Sequence, residues 1–333
     1  MLIFGGLLVN VLVLAVSILV LSQASRLTTA FAAKMSDATG FGRTTVGFLL
    51  TAFATSLPEL LVFVFAVSGA GSVGLAVGNI LGSNIVNVCL ALGLCMIIIS
   101  GMKSSKPYCR EFSACVAKEE IGGLHFGLFV ASLIPLFFIY VRQIGQFVGV
   151  VLIGLFSLNL YQMFRARVSV KEDVSDRERL RVRRYGLFVL LGVVGVVASA
   201  YFLVDSASAI AFELGVPSVT VGATLVAFGT SIPELVTSVE ATRQGHLDLA
   251  LGNIIGSGFL NLTLVLGLPL ALSPFAFDVA AFSNLALFSV LANVMLWYFM
   301  SMDRVGRREG AILISLYVLF LITSLSGTQV YAT

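Results

Sequence analysis

Charge is scarce in this chain. Only 11% of its 333 residues are Asp, Glu, Lys or Arg, while 58% are hydrophobic. Soluble domains carry about 25% charged residues. That deficit excludes an ordinary water-soluble globule, which could not hide so much apolar surface. Histidine is scarcer, with only His125 and His246; both fall near the ends of apolar runs and are read as interfacial. No His-Glu-x-x-His sequence occurs, which removes support for zincin-type hydrolysis, and a Ser/His mechanism has no obvious base. Every Asp (37, 173, 176, 205, 248, 278 and 303) falls in a loop or near the end of an apolar run, which argues against an intramembrane aspartyl dyad. Asp205, expected in a turn after the sixth run, is read as either a helix cap or an outer vestibule residue. The four cysteines form no CxxC metal pattern. Cys89 and Cys95 are small core residues, and Cys109 and Cys115 lie in an inner loop where a disulfide is not expected. The net charge of +3 is too small to imply a nucleic-acid partner. No enzymatic chemistry is expected.

What the chain has instead is long apolar runs. A spanning helix needs roughly 20 apolar residues, and ten such runs occur: about 3–22, 45–68, 72–99, 124–141, 144–163, 186–204, 217–242, 247–272, 280–300 and 311–328. The first lacks a basic n-region and a cleavage site and is expected to be a retained span. The runs are continuous, not short and alternating as in a β-barrel. With an N-terminus outside, nineteen of the twenty Lys and Arg residues fall in inner loops and only Arg142 in an outer one. The positive-inside rule then places both termini outside and the 165–185 loop in the cytoplasm.

Within this apolar background, two short passages recur. Thr51–Glu59 reads TAFATSLPE and Val226–Glu234 reads VAFGTSIPE. Val77–Asn87 reads VGNILGSNIVN and Leu251–Asn261 reads LGNIIGSGFLN. Both halves also carry an earlier Ala-Ser pair, Ala24-Ser25 and Ala207-Ser208, expected in the turn after the first span of each half. Five spans separate the copies, an odd number, so the two must cross the membrane in opposite directions. This is an inverted-topology repeat of the kind found in secondary transporters, whose site lies near the midplane between the repeats. The expected fold is an all-α membrane protein of ten transmembrane helices in two inverted five-helix repeats. The repeats occupy 1–164 (motif 51–87) and 186–333 (motif 226–261). Between them lies a charged linker, 165–185, read as solvated or as a short cytoplasmic helix.

The repeated residues suggest a chemistry. A charge at the centre of a spanning helix costs about 2.5–3.5 kcal/mol by insertion scales, so paired Glu59 and Glu234 point to a cation ligand or proton carrier. Residues three and four apart share a helix face, which groups Thr55, Ser56 and Glu59, and likewise Thr230, Ser231 and Glu234. Ser83 with Asn87, and Ser257 with Asn261, add hydroxyl and amide oxygens. Hard cations such as Ca²⁺ take six to eight oxygen ligands. Pro58 and Pro233 lack an N–H and clash with the carbonyl four residues back, at Ala54 and Gly229, which is expected to break the helix; carbonyls freed there can ligate cations. Gly78, Gly82, Gly252 and Gly256 allow close helix approach.

These motifs resemble the two α-repeats of the sodium/calcium exchanger family, within the cation/Ca²⁺ antiporter superfamily. The resemblance spans nearly the whole chain. It implies exchange of Na⁺ for Ca²⁺ by alternating access, in a multi-pass plasma-membrane protein whose single chain suffices. It implies no cofactor, only the transported ions Ca²⁺ and Na⁺, with H⁺ as the alternative counter-ion. Its ligand positions fall on Thr55, Ser56, Glu59, Ser83 and Asn87, and on Thr230, Ser231, Glu234, Ser257 and Asn261, joined by the carbonyls of Ala52 and Ala227. Three departures stand out. Ala54 replaces a glycine, Gly258 replaces an asparagine, and Asn ends both motifs, where exchangers often carry one Asp. Only Glu59 and Glu234 then charge the pocket: one Ca²⁺ balances it, and three Na⁺ exceed it.

Overall fold

A long apolar segment in hydrocarbon must satisfy its own backbone polar groups, and a helix does so within one segment. The computed structural model describes residues 6–39, 55–66, 68, 73–101, 133, 146–166, 176–243, 247–272, 279–302 and 305–326, and every regular element among them is helical. In chain order these are α1 (Leu7–Thr39), α2 (Leu57–Phe65), α3 (Val73–Ile85, a π-helical stretch Val86–Leu92, then Gly93–Gly101), α4 (Gln146–Ala166), α5 (Asp176–Leu214), α6 (Ser218–Thr230), α7 (Ile232–Arg243), α8 (Leu247–Leu260, a π turn Asn261–Val265, then Leu266–Leu272), α9 (Val279–Met300) and α10 (Arg307–Ser326). Six of the described helices are long and apolar enough to cross a membrane, or seven if the bent pair α6–α7 counts as one span. Of the expected spans, 124–141 lies outside the described residues except for residue 133, and 45–68 is described only from residue 55.

Two helices overrun their expected ends. The Ala-Ser pairs and Asp205 do not sit in turns: Ala24-Ser25 is inside α1, and Asp205 and Ala207-Ser208 are inside α5. Hydroxyl residues in apolar helices bond back to the carbonyl a turn earlier, so they need not end the helix. Thr28 Oγ1 donates to Ala24 O at 2.9 Å, and Ser206 Oγ to Phe202 O at 2.7 Å. The charged linker likewise passes into helix from Asp176 onward. At 1.5 Å per residue α5 is roughly 58 Å long, so it projects well beyond a hydrocarbon core of about 30 Å.

Burial sorts the helices into centre and rim. The spanning windows of α3 and α8 are 72% and 82% buried, those of α1 and α10 only 28% and 22%. The rim helices expose Leu8, Leu19, Leu190, Phe147 and Leu319, an apolar surface of the kind that contacts lipid; the protein is a multi-pass membrane protein. α1 and α5 run antiparallel along their length, with Gly192 against Thr28 and Ala24 and with Asn10 Nδ2 donating to Glu213 Oε1 at 3.3 Å.

The centre is held by glycine crossings. Gly74, Gly78 and Gly82 form one face of α3 against α6; a Cβ on Gly82 would meet Ala223 Cα at 2.7 Å. The packing role expected of Gly78 and Gly82 is therefore met. The end of α3 crosses α10 at Gly93 and Gly310, and the end of α8 crosses α4 at Gly267 and Gly149. Gly93 and Gly267 occupy equivalent places after the two motifs, so each half lends its third helix to the other half's last.

Candidate cation-binding site

The site forms where two helix breaks meet two central helices. Ser56 precedes α2 with φ −84° and ψ 3°, and Ser231 precedes α7 with φ −84° and ψ 1°. Both lie in the sparsely populated bridge region. Pro58 and Pro233, in the first turn of the helix after each break, cannot donate to the carbonyl four residues back, and α6 meets α7 at a 44° bend. At Pro233 the helix bends as the sequence implied. At the second break the Ala227 carbonyl accepts from Ser231 N at 3.0 Å and from Thr230 Oγ1 at 3.3 Å. Ala52, its expected counterpart, lies outside the described residues.

The central helices face the breaks. Asn79, Ser83 and Asn87 recur every four residues on α3, as do Asn253, Ser257 and Asn261 on α8, so each trio shares a face. Just beyond, both helices loosen into π geometry, at Val86–Leu92 and Asn261–Val265, and a third π turn, Gly222–Val226, precedes the break at Ser231. Such π turns cluster at functional sites.

All ten side chains named from the sequence are buried, at 0–1% exposure. Hydroxyls of both halves surround the two carboxylates. Ser231 Oγ donates to Glu59 Oε1 at 3.4 Å, and the Thr230 and Ser83 hydroxyls lie beside that carboxylate. Glu234 receives Ser257 Oγ at 3.2 Å on Oε1 and a hydrogen bond from Thr55. The hydroxyls link residues of the two motif copies: Ser56 and Ser257 share a hydrogen bond at 2.8 Å, and Ser83 and Thr230 one at 3.4 Å. Asn87 Nδ2 donates to Ser257 Oγ at 3.4 Å. The structure thus gathers nine of the ten into two groups, Ser83, Thr230 and Ser231 around Glu59 and Thr55, Ser56, Ser257 and Asn87 around Glu234; Asn261 is buried beside them with both amide atoms unpartnered.

The electrostatics are one-sided. The two carboxylates are near enough to repel, and no basic side chain compensates either one among the described residues. Glu59 Oε2, Glu234 Oε2 and Asn87 Oδ1 are buried without a hydrogen-bond partner. Orphaned buried oxygens carry a desolvation penalty of several kcal/mol by transfer scales, which a cation would relieve. The donor set is all oxygen, as hard cations require. Among the described residues no cluster of three or more His, Cys, Asp or Glu exists.

Two residues went unassigned in the sequence. Thr230 Oγ1 donates to Asn79 Oδ1 at 3.0 Å, while Asn253 Nδ2 donates to Ser238 Oγ at 3.1 Å and to Glu234 O at 3.4 Å. Their signal was present: each stands four residues before the motif serine, in both copies.

Known proteins match this architecture. The family model described as sodium/calcium exchanger protein matches residues 9–165 and 185–326. The inner membrane protein YrbG of Escherichia coli (strain K12) is 30% identical over 330 residues, covering 95% of this chain and 96% of the relative. The sodium/calcium exchanger MaX1 of Methanosarcina acetivorans is 30% identical, covering 94% and 98%. Among solved structures, the H⁺/Ca²⁺ exchanger CAX superposes with a TM-score of 0.73 at 17% identity, covering 95% of this chain and 87% of that one. The sodium-calcium exchanger NCX_Mj superposes with a TM-score of 0.62 at 24% identity, covering 94% and 98%. These two likenesses bear on the fold; the family follows from the sequence match across both halves. The chain is a member of the sodium/calcium exchanger protein family.

Proposed function

We propose that the protein is a secondary antiporter that exchanges Na⁺ for Ca²⁺ across the membrane. The observation that carries the reading is the pair of buried carboxylates, one from each half, surrounded by hydroxyls of both halves and by no basic group among the described residues. In this reading Thr55, Ser56, Glu59, Ser83 and Asn87, with Thr230, Ser231, Glu234, Ser257 and Asn261, form one oxygen cage near the membrane midplane, and the Ala52 and Ala227 carbonyls join it for Na⁺. Na⁺ and Ca²⁺ compete for the cage, and no covalent step occurs. The empty cage holds two uncompensated charges, a state that is costly to carry across the apolar centre. Isomerisation is thereby confined to loaded states, which is what makes flux an exchange and not a leak. One chain supplies both halves, so a monomer suffices. The charge asymmetry of the loops supports a plasma-membrane orientation with both termini outside and 165–185 in the cytoplasm.

Two carboxylates and two asparagines also suit H⁺ as the counter-ion, because two protons discharge the cage as fully as one Ca²⁺ does. The test is uptake of radiolabelled Ca²⁺ into proteoliposomes holding an outward-directed Na⁺ gradient with pH clamped. Na⁺-driven accumulation is expected. Accumulation that follows only an imposed pH gradient would establish the proton reading, and Ca²⁺ flux with no counter-ion requirement would overturn both in favour of a channel.

A further inference from the structure

Three carboxylates are buried among the described residues, Glu59, Glu234 and Asp205, and the cage does not use the third. Asp205 is 2% exposed, with Oδ1 buried and unpartnered. One turn on, the Ser208 hydroxyl is also buried and unpartnered. Tyr201, Asp205 and Ser208 share a face of α5. Tyr201 meets Phe65 of α2 edge-on at 5.4 Å, so this face turns toward the helix that carries Glu59.

The position of Asp205 relative to the cage follows from the helix directions. α1 begins where α5 ends, as the Asn10–Glu213 hydrogen bond records. α3 begins beside the start of α6, with Gly74 against Val219, so the C-terminal end of α2 points to the same membrane face as the C-terminal end of α5. Phe65 lies about 9 Å along α2 from Glu59 in that direction, and Asp205 lies a turn beyond Tyr201. Asp205 therefore stands between the cage and the membrane face at which α1 begins. No Lys, Arg or His occurs on α1 before Arg26, on α2 or on α6, and the other titratable group at that end of α5 is acidic, Glu213. Nothing on these elements neutralises Asp205.

The repeat supplies a control. Pairing Ala24-Ser25 with Ala207-Ser208 sets Ser22 opposite Asp205. The Ser25 hydroxyl, like that of Ser208, is buried without a partner. The polar helix face is thus duplicated, but only the second half carries an acid on it.

We propose that Asp205 and Ser208 form an auxiliary cation-binding step on the path between the cage and the membrane face where α1 begins, while Ser22 and Ser25 line a neutral counterpart in the other half. Its ligands are the small hard cations that the cage takes, and only that identity rests on the antiport reading. Carboxylate and hydroxyl oxygens can replace part of the hydration shell there, and the charge raises the local cation concentration.

The path is tested in the full-length chain with Ser208→Cys in sealed proteoliposomes. A cationic methanethiosulfonate reagent and an anionic one are added to one face at a time, and the unsubstituted chain gives the background from its own cysteines. At the face where α1 begins, the cationic reagent is expected to react faster by about tenfold, and adding Asp205→Asn should abolish that preference. Equal preference with and without Asp205, labelling only from the opposite face, or no labelling from either face overturns the proposal. In flux, Asp205→Asn should raise the half-saturating Ca²⁺ concentration at this face by about three- to tenfold, leave the opposite face unchanged and be rescued by Asp205→Glu. An equal change at both faces would assign Asp205 a structural role instead. A wild-type chain without counter-ion-dependent flux would sink the antiport reading while leaving the labelling result to decide this one.

Discussion

The two helix breaks share a backbone and differ in their bracing. Ser56 and Ser231 have the same φ and ψ values within 2°, because each stands two residues before a proline that denies a hydrogen bond to the preceding turn. The amides around them have diverged. Asn79 of the first half reaches across to Thr230 of the second, whereas its twin Asn253 stays within its own half on Ser238 and the Glu234 carbonyl. Asn84 donates to Ser289 of α9 at 3.0 Å, while the twin position, Gly258, has no side chain to do so. Three hydroxyl residues, Ser83, Thr230 and Ser231, surround Glu59 and two, Thr55 and Ser257, surround Glu234. The duplicated proline rule fixes geometry in both halves and leaves the side-chain network free to become asymmetric. Equivalence is thus expected to be strongest at the charges and weakest at the amides.

The largest effect tests the charges. Glu59→Gln and Glu234→Gln should each lower Ca²⁺ exchange in proteoliposomes by about 100-fold or more, the scale of losing one partner of a buried charge contact. Both variants should still elute as folded protein in size-exclusion chromatography. Exchange retained by either one alone would break the equivalence of the halves, and exchange retained by both would remove the cage.

A smaller effect tests the crossings. In each glycine pair the partners are unequal. A Cβ on Gly310 would meet Gly93 O at 2.5 Å and one on Gly149 would run into the Ala271 backbone, while Cβ atoms on Gly93 and Gly267 come no closer than 3.0 Å. Gly149→Ala and Gly310→Ala should therefore lose about 1–3 kcal/mol of stability through overpacking, and Gly267→Ala and Gly93→Ala clearly less. Thermal unfolding in detergent reads the order. A reversed order within either pair would show that the two crossings are not built alike.

Much of the site was legible because the background was so uniform. In long apolar runs a Thr-Ser-x-Pro-Glu passage has no packing explanation, and its recurrence named both carboxylates and four hydroxyls, while the second repeated passage at a nearly equal offset named Ser83 and Ser257. The prolines likewise announced the breaks. The same uniformity hid the helix ends: Ala24-Ser25 and Ala207-Ser208 resemble punctuation, but both helices continue through them, with Thr28 and Ser206 nearby bonding back to the preceding turn. The π turns were invisible, since one extra residue per turn leaves no mark on a segment apolar on every face. Nor could spacing within one motif show that Ser231 would serve Glu59, because that contact spans the two halves. At Gly229 a Cβ would meet the Ile18 side chain at 2.8 Å, which gives a packing reason for glycine in the second motif; its counterpart Ala54 lies outside the described residues.

The smallest effect tests the amides, where the halves are expected to part. Each asparagine leaves one amide atom unpartnered, Nδ2 in Asn79 and Oδ1 in Asn253, so the difference lies in what the working atom holds. Asn79 Oδ1 takes the Thr230 proton and leaves the hydroxyl's lone pairs for a cation. Without it that proton can turn toward the Ala227 carbonyl, already within 3.3 Å. Asn79→Leu should therefore raise the half-saturating cation concentration by about two- to tenfold, the equivalent of one hydrogen bond of about 0.5–1.5 kcal/mol, with little change in melting temperature. Asn253 instead braces backbone, so Asn253→Leu should lower the melting temperature and leave the affinity of the folded protein near wild type. If both variants change affinity alike, the asparagines are symmetric parts of the cage after all, and the divergence of their hydrogen bonds has no functional consequence.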